Sequence, residues 1–396
     1  MTRSEPRRPR HLLAVIVAAQ FAGGSLWFSG NAVLADLQRQ WGLADSALGY
    51  LTSAVQMGFI LGTLVFAFLA FADRVSPRIA FCGCSLLGAL ANLAALVADG
   101  SFLLLLASRF MTGFFLAGVY PVGKKIASGW YRNDLGNALG FLVGALVLGT
   151  AFPHLLKGLG QAWPWEIVLA GVSGLAVLGG LLMALLVPDG PHLAKGAKFD
   201  PAALATVFRV PGFRASVFGY FGHMWERYAF WAFVPLALAA RPDAGNVSLW
   251  AFAVIAAGAI GCAGGGLASL RAGSARVAFA QLAASGACCL ASPLFHFAPP
   301  ALFLAFLVFW GVVVVGDSPQ FSALNAAHAP RDRVGSALTI GNCIGFAITI
   351  VSIQLLNSAM AWLPAQYLFL LLAPGPALGL LALRPLVRRP NGQRPA

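Results

Sequence analysis

The chain has 396 residues, of which 59% are hydrophobic and only 10% charged, and its mean hydropathy is +0.80. A soluble domain carries about 25% charged residues, and burying this much apolar side chain in one aqueous core would leave too few polar groups for a surface. The composition therefore excludes a soluble enzyme, a nucleic-acid-binding domain and a large module outside the bilayer.

A membrane-spanning helix needs about 20 apolar residues, and the chain can be divided into twelve such segments. Residues 1–11 form a basic leader. Spans follow at Leu12–Ala35, Ser46–Phe71, Ile79–Ala98, Phe102–Ile126, Gly136–Leu156 and Trp165–Val187. The first is too long for a signal peptide and is followed by eleven more apolar segments. A polar, proline-containing break, 188–211, separates this half (12–187) from a second (212–386). The second half has spans at Arg214–Ala240, Ser248–Leu270, Val277–Phe297, Ala301–Leu324, Val334–Met360 and Ala365–Leu386, and a basic tail, 387–396, ends the chain. Two six-span halves joined by a polar loop are the pattern of internally repeated transporters.

The net charge is +13. With both ends placed in the cytoplasm, 21 of the 26 Lys and Arg residues fall on that side. Only Arg39, Lys157 and Arg241 fall opposite, and Arg109 and Arg227 lie inside spans. This is the positive-inside distribution, so the basic charge reports topology in an inner membrane rather than nucleic-acid binding. The six cysteines all fall in apolar runs and have no metal-site spacing, so they are expected to be packing residues. No metal or cofactor is expected.

The loop Ala72-Asp73-Arg74-Val75-Ser76-Pro77-Arg78 resembles the signature between spans two and three of the major facilitator superfamily. Arg109-x-x-x-Gly113 is similar to that family's motif in span four. The loop Gly266–Gly273 is a degraded echo of the first signature. The resemblance implies an all-α fold of twelve transmembrane helices in two pseudo-symmetric halves, with spans one, four, seven and ten lining a central cavity. It also implies a conformational latch at Asp73, Arg74 and Arg78. Within the family, Gly219–Arg227 and Gly316–Ser322 are similar to bacterial members labelled nitrate/nitrite or cyanate porter-like. The arginine that nitrate porters embed in spans two and eight has no counterpart here.

A charged side chain at bilayer depth costs about 2.5–3.5 kcal/mol and marks a cavity or a partner. There are four: Arg109, Glu226, Arg227 and Asp317. On a helical wheel His223, Glu226 and Arg227 fit an arc of about 100°, which predicts one wet face on span seven. Glu226 beside Arg227 is expected to be neutralised by it and to carry a coupling proton, with His223 or Asp317 as relay. Substrate-cavity candidates are Arg109, Arg227, Asn31, Trp27, Gln20, Tyr120 and Gln320. Asp317 can alternatively cap a kink set by Pro319. Gly136, Gly140 and Gly144 on span five, and Gly261 and Gly265 on span eight, are expected to bring these two spans close for rocking.

The reading is a monomeric secondary carrier working by alternating access. It is expected to be proton-coupled and to move a small solute, with an anion or carboxylate-bearing metabolite leading because each half embeds one Arg. The alternative is proton-driven efflux of amphipathic drugs or metabolites. A channel or an intramembrane enzyme is remote. Gly171-Val172-Ser173-Gly174 matches a rhomboid-like Gly-x-Ser-Gly but lacks a paired histidine, and His223-Met224-Trp225-Glu226 is not a zinc-protease motif.

Overall fold

A computed structural model describes residues 9–131, 135–160, 163–193 and 199–388. Arg132, Lys195, Lys198, Arg389, Arg394 and residues 1–8 lie outside it, and around Gly136 only the backbone is described. All regular structure among the described residues is helical.

Ten segments are long and apolar enough to cross a membrane. The other two spans are the first and the seventh. The first is short in its apolar piece, Leu12–Gly24. The seventh, Pro211–Ala239, is 29 residues long but carries Arg214, Glu226 and Arg227. Together they complete the twelve-helix, two-half arrangement.

Several spans are broken rather than continuous. The first runs Leu12–Gly24, Ser29–Ala32 and Leu34–Trp41, and so extends past the expected end at Ala35. Gly23 and Gly24 loosen the helix. The Ser25 hydroxyl then donates to the Ala22 carbonyl at 2.6 Å, a local bond that competes with the helical ladder. The fourth span divides into Phe102–Leu116 and Tyr120–Trp130, and the tenth into Pro300–Gly316 and Ser318–His328. In both, a proline (Pro121, Pro319) sits in the first turn of the second piece. There its missing N–H costs nothing, but the helix cannot run through it from the preceding turn.

The two halves repeat one crossing. A Cβ on Gly62 would lie 2.3 Å from the Phe114 carbonyl oxygen, and one on Gly113 would lie 2.0 Å from that of Val55. The corresponding pairs in the second half are Gly261 with Val312 O at 1.8 Å and Gly311 with Val254 O at 1.9 Å. Span two thus seats backbone-on-backbone against span four, and span eight does the same against span ten.

The expected role of the span-five and span-eight glycines needs correction. Gly140 and Gly144 have open space around them, whereas Gly261 and Gly265 face span ten. Spans five and eight do pack together, but through larger side chains such as Val147 beside Gly258. The close glycines of span five are Gly149, against Phe21 and Gly24 of span one, and Gly158, against Leu249 of span eight. Spacing identified small residues, but it could not say which neighbour each one meets.

Many large apolar side chains point outward, including Leu270 at 82% exposed and Val97 at 77%. By contrast Gln20, Gln56, Asn92 and Thr349 are buried at 0%. This inverted distribution is what a lipid solvent imposes. The halves meet along spans five with eight and two with eleven. Among the described residues three side-chain hydrogen bonds cross between them. Gln354 Nε2 donates to Ser53 Oγ (2.8 Å), the Gly49 N–H to Asn357 Oδ1 (3.2 Å), and Asn246 Nδ2 to the Gly158 carbonyl (3.0 Å). All three lie at the end of the bundle where span two begins and span eleven finishes.

Candidate functional site

Two of the four embedded charges, Arg227 and Asp317, meet at the break in span ten, together with His223. His223 and Arg227 stand one helical turn apart on span seven, and Asp317 and Ser318 are consecutive residues at the break. His223 Nδ1 approaches Asp317 Oδ1 to 2.8 Å, an ion pair when the imidazole is protonated. The contact is not aligned as a hydrogen bond, and His223 Nε2 and both Asp317 oxygens have no hydrogen-bond partner. All of these side chains are at most 6% exposed. Asp317 makes no side-chain cap to the helix that follows, so the kink-capping alternative fails.

Arg227 is half used. Its Nη1 donates to Ser318 Oγ at 3.0 Å. The guanidinium lies over the rings of Trp231 (4.4 Å) and Tyr228 (4.8 Å). Nε and Nη2 have no partner. Those two donors share one edge of the planar fork, the edge that grips a carboxylate with two parallel hydrogen bonds.

Glu226 takes a different direction from the one expected. No ion pair joins it to Arg227. Its Oε1 accepts from Trp310 Nε1 (2.8 Å), from the Ser285 hydroxyl and from the Cys289 thiol (3.5 Å), which anchors span seven to spans nine and ten. A 100° arc is wide enough for its two edges to meet different neighbours. His223 and Arg227 turn to the break, while Glu226 turns into the wedge behind it. Ser285 and Trp310 carried no sequence signal, being ordinary residues in apolar runs.

Arg109 is engaged by the protein through both Nη atoms, and only its Nε lacks a partner. Nη2 donates to the carbonyls of Leu26 and Trp27, each at 2.9 Å, and Nη1 to Ser29 Oγ (3.0 Å) and Asn92 Oδ1 (2.6 Å). Asn92 in turn donates to Ser173 Oγ at 3.0 Å. Gly30 leaves room for the guanidinium, since a Cβ there would stand 3.0 Å from Arg109 Nε. The carbonyls freed by the break in span one thus find their donors on span four. As a freely available substrate cation, the role expected for it, Arg109 lacks the open edge that Arg227 has. Asn92, a lone amide in an apolar span, was the overlooked signal.

The remaining candidates divide between packing and unmet capacity. Asn31 Nδ2 donates to Thr52 Oγ1 at 2.7 Å, tying span one to span two. Trp27 stacks across the two halves on Tyr228 (5.6 Å) and Phe346 (5.7 Å). Tyr120 lies beneath the Lys124 ammonium at 4.2 Å. Gln320 is buried on the second piece of span ten. Both side-chain polar atoms of Gln20 lack partners, as do those of Gln56, which the sequence reading passed over. In the loop after span two, Asp73 pairs with Lys125 of span four. Arg78 Nη1 donates to the Ala184 carbonyl at 3.0 Å and Ser76 Oγ to Asp189 Oδ1 at 2.7 Å, while Arg74 is exposed. Lys125 and Asp189 were not among the expected latch residues.

Residues 15–353 match the profile of the Major Facilitator Superfamily. The chain belongs to that superfamily. It is therefore a multi-pass membrane transporter of small molecules and not an enzyme. Among solved structures it is similar to the E. coli fucose:proton symporter FucP (N162A), at 18% identity and a TM-score of 0.64, covering 96% of this chain and 98% of that one. It is also similar to FucP in an outward conformation, at 15% identity and a TM-score of 0.68, covering 96% and 99%. No curated protein sequence matches it.

Proposed function

We propose that this superfamily member is a secondary carrier that moves a small carboxylate across a bacterial inner membrane by alternating access, with both termini cytoplasmic. The observation that carries the reading is the free Nε/Nη2 edge of Arg227. A buried cation with two parallel donors unpaired is stabilised by a ligand that supplies two parallel acceptors. Similarity to nitrate/nitrite or cyanate porters rests on short stretches of spans seven and ten, and a planar carboxylate fits the same fork.

The coupling ion in this reading is a proton. Its carrier is the His223–Asp317 contact, because Asp317 has no other partner whereas Glu226 is held by three donors. FucP is a proton symporter by its description, which supports this coupling at the level of the fold. Arg109 acts as a brace for the break in span one. The aromatic cluster of Trp27, Phe28, Tyr228 and Trp231 supports a second reading, efflux of an amphipathic compound by proton antiport.

A thermal-stabilisation screen of the purified protein separates the two, since a ligand raises apparent stability by mass action. Carboxylates are expected to stabilise the wild type. Arg227→Lys is expected to weaken their binding about 100-fold, the loss of two charge-assisted hydrogen bonds. Stabilisation by neutral or cationic amphipaths alone would favour efflux.

A further inference from the structure

We infer that the carried acid bears an oxygen acceptor on the carbon next to its carboxylate, a 2-oxo or 2-hydroxy acid, and that Trp231 reads this oxygen. The inference rests on the carboxylate reading of Arg227 and adds a substrate class to it.

The starting point is a contrast among tryptophans. The indole N–H groups of Trp130, Trp165, Trp225 and Trp310 all donate to acceptors of the protein, at 2.7–3.3 Å. Those of Trp27 and Trp231 are buried and donate to none. Trp231 is 0% exposed. A buried indole N–H is rarely left unpaired, because burial removes its water without a replacement.

Position then limits what the missing acceptor can be. Trp231 follows Arg227 by one helical turn, and its ring stacks on the same guanidinium at 4.4 Å. A carboxylate in the open edge of Arg227 therefore lies within about one ring width of this indole. An acceptor that satisfies both residues sits close to the carboxylate rather than at the far end of the molecule. The indole also meets Phe28 edge-on at 6.2 Å and Tyr228 edge-on at 5.5 Å. Those rings offer no carbonyl or carboxylate to the N–H. A site built to hydrogen-bond a substrate oxygen rejects the analogue that lacks it, since its own polar group is then stranded.

The test is a set of dissociation constants on the full-length protein for matched acids: butanoate against 2-oxobutanoate, and 3-phenylpropanoate against phenylpyruvate. In the wild type each oxo acid is expected to bind about 10-fold tighter than its partner. Trp231→Phe keeps the ring and removes the donor. It is expected to bring both ratios to about one. A wild-type ratio near one overturns the inference, and this result does not depend on how well the variant folds. So does a ratio that persists in Trp231→Phe, or one that collapses only in Trp27→Phe. If the acids bind in an Arg227-dependent way without discrimination, the carboxylate reading stands and this inference alone falls. If no acid binds, or Arg227→Lys changes nothing, both fall.

Discussion

The two halves of this transporter each embed one arginine in a membrane span, and they use it in opposite ways. In the first half Arg109 makes four donor contacts to a broken helix and a neighbouring amide. In the second half Arg227 makes one, to Ser318, and leaves a two-donor edge open. Charge and burial are the same in both; what differs is whether the protein supplies the acceptors. A cation with both Nη atoms filled braces the scaffold, whereas one with a two-donor edge unfilled keeps hydrogen-bonding capacity to spare.

The comparison is broken most directly at Arg109. Arg109→Ala strands two carbonyls, a hydroxyl and an amide oxygen, each bond to the cation being worth about 1.5–3 kcal/mol. The expected outcome is loss of a monodisperse peak on size-exclusion chromatography, a defect that Arg227→Lys does not share. An Arg109→Ala protein that stays folded but fails to bind substrate would erase the distinction between the halves.

The next largest effect sharpens the role of the second half. Asp317→Asn is expected to abolish accumulation driven by a pH gradient in proteoliposomes while leaving counterflow intact. Glu226→Gln, which disturbs only the anchor to Ser285 and Trp310, is expected to lower the melting temperature and keep gradient-driven accumulation. The reverse pattern would return the proton to Glu226.

Gly113→Ala and Gly311→Ala test whether the halves are mechanically equivalent. Each new methyl would meet a carbonyl oxygen, at 2.0 and 1.9 Å respectively. Overpacking of this kind costs about 1–3 kcal/mol. Equal losses of thermal stability in the two variants are expected, and a large inequality would show that one crossing is the more rigid.

The smallest effect lies outside the bilayer. Its hydrogen bond with Arg241 holds the Asp243 carboxyl below the usual carboxylate range. A group with a lowered folded pKa contributes stability at pH above its unfolded pKa, and this is lost as pH falls through the folded value. Asp243→Asn is therefore expected to remove a slight acid-side decline in melting temperature without changing transport.

Much of the fold was legible because lipid imposes a simple rule on composition, and a run of apolar residues reports itself. The embedded charges were legible for the same reason, as exceptions to that rule. Their partners were not. Asn92, Ser285 and Trp310 meet Arg109 and Glu226 only through tertiary packing, which leaves no periodic trace. Adjacency in sequence suggested that Glu226 and Arg227 pair, but successive helical residues point about 100° apart, and each found a different neighbour. The break in span ten was readable from Pro319. The break in span one was not, because its cause is a Gly-Gly-Ser run whose freed carbonyls are caught by a distant arginine.

The three side-chain hydrogen bonds that join the halves among the described residues all lie at one end of the bundle. Side-chain hydrogen bonds within membranes average about 0.6 kcal/mol, so unzipping all three costs about 2 kcal/mol, a population ratio of roughly 30. A solute that binds the opposite-facing state about a thousandfold more tightly outweighs that bias and inverts the occupancy. The closure is thus weak enough for a single cargo molecule to reverse.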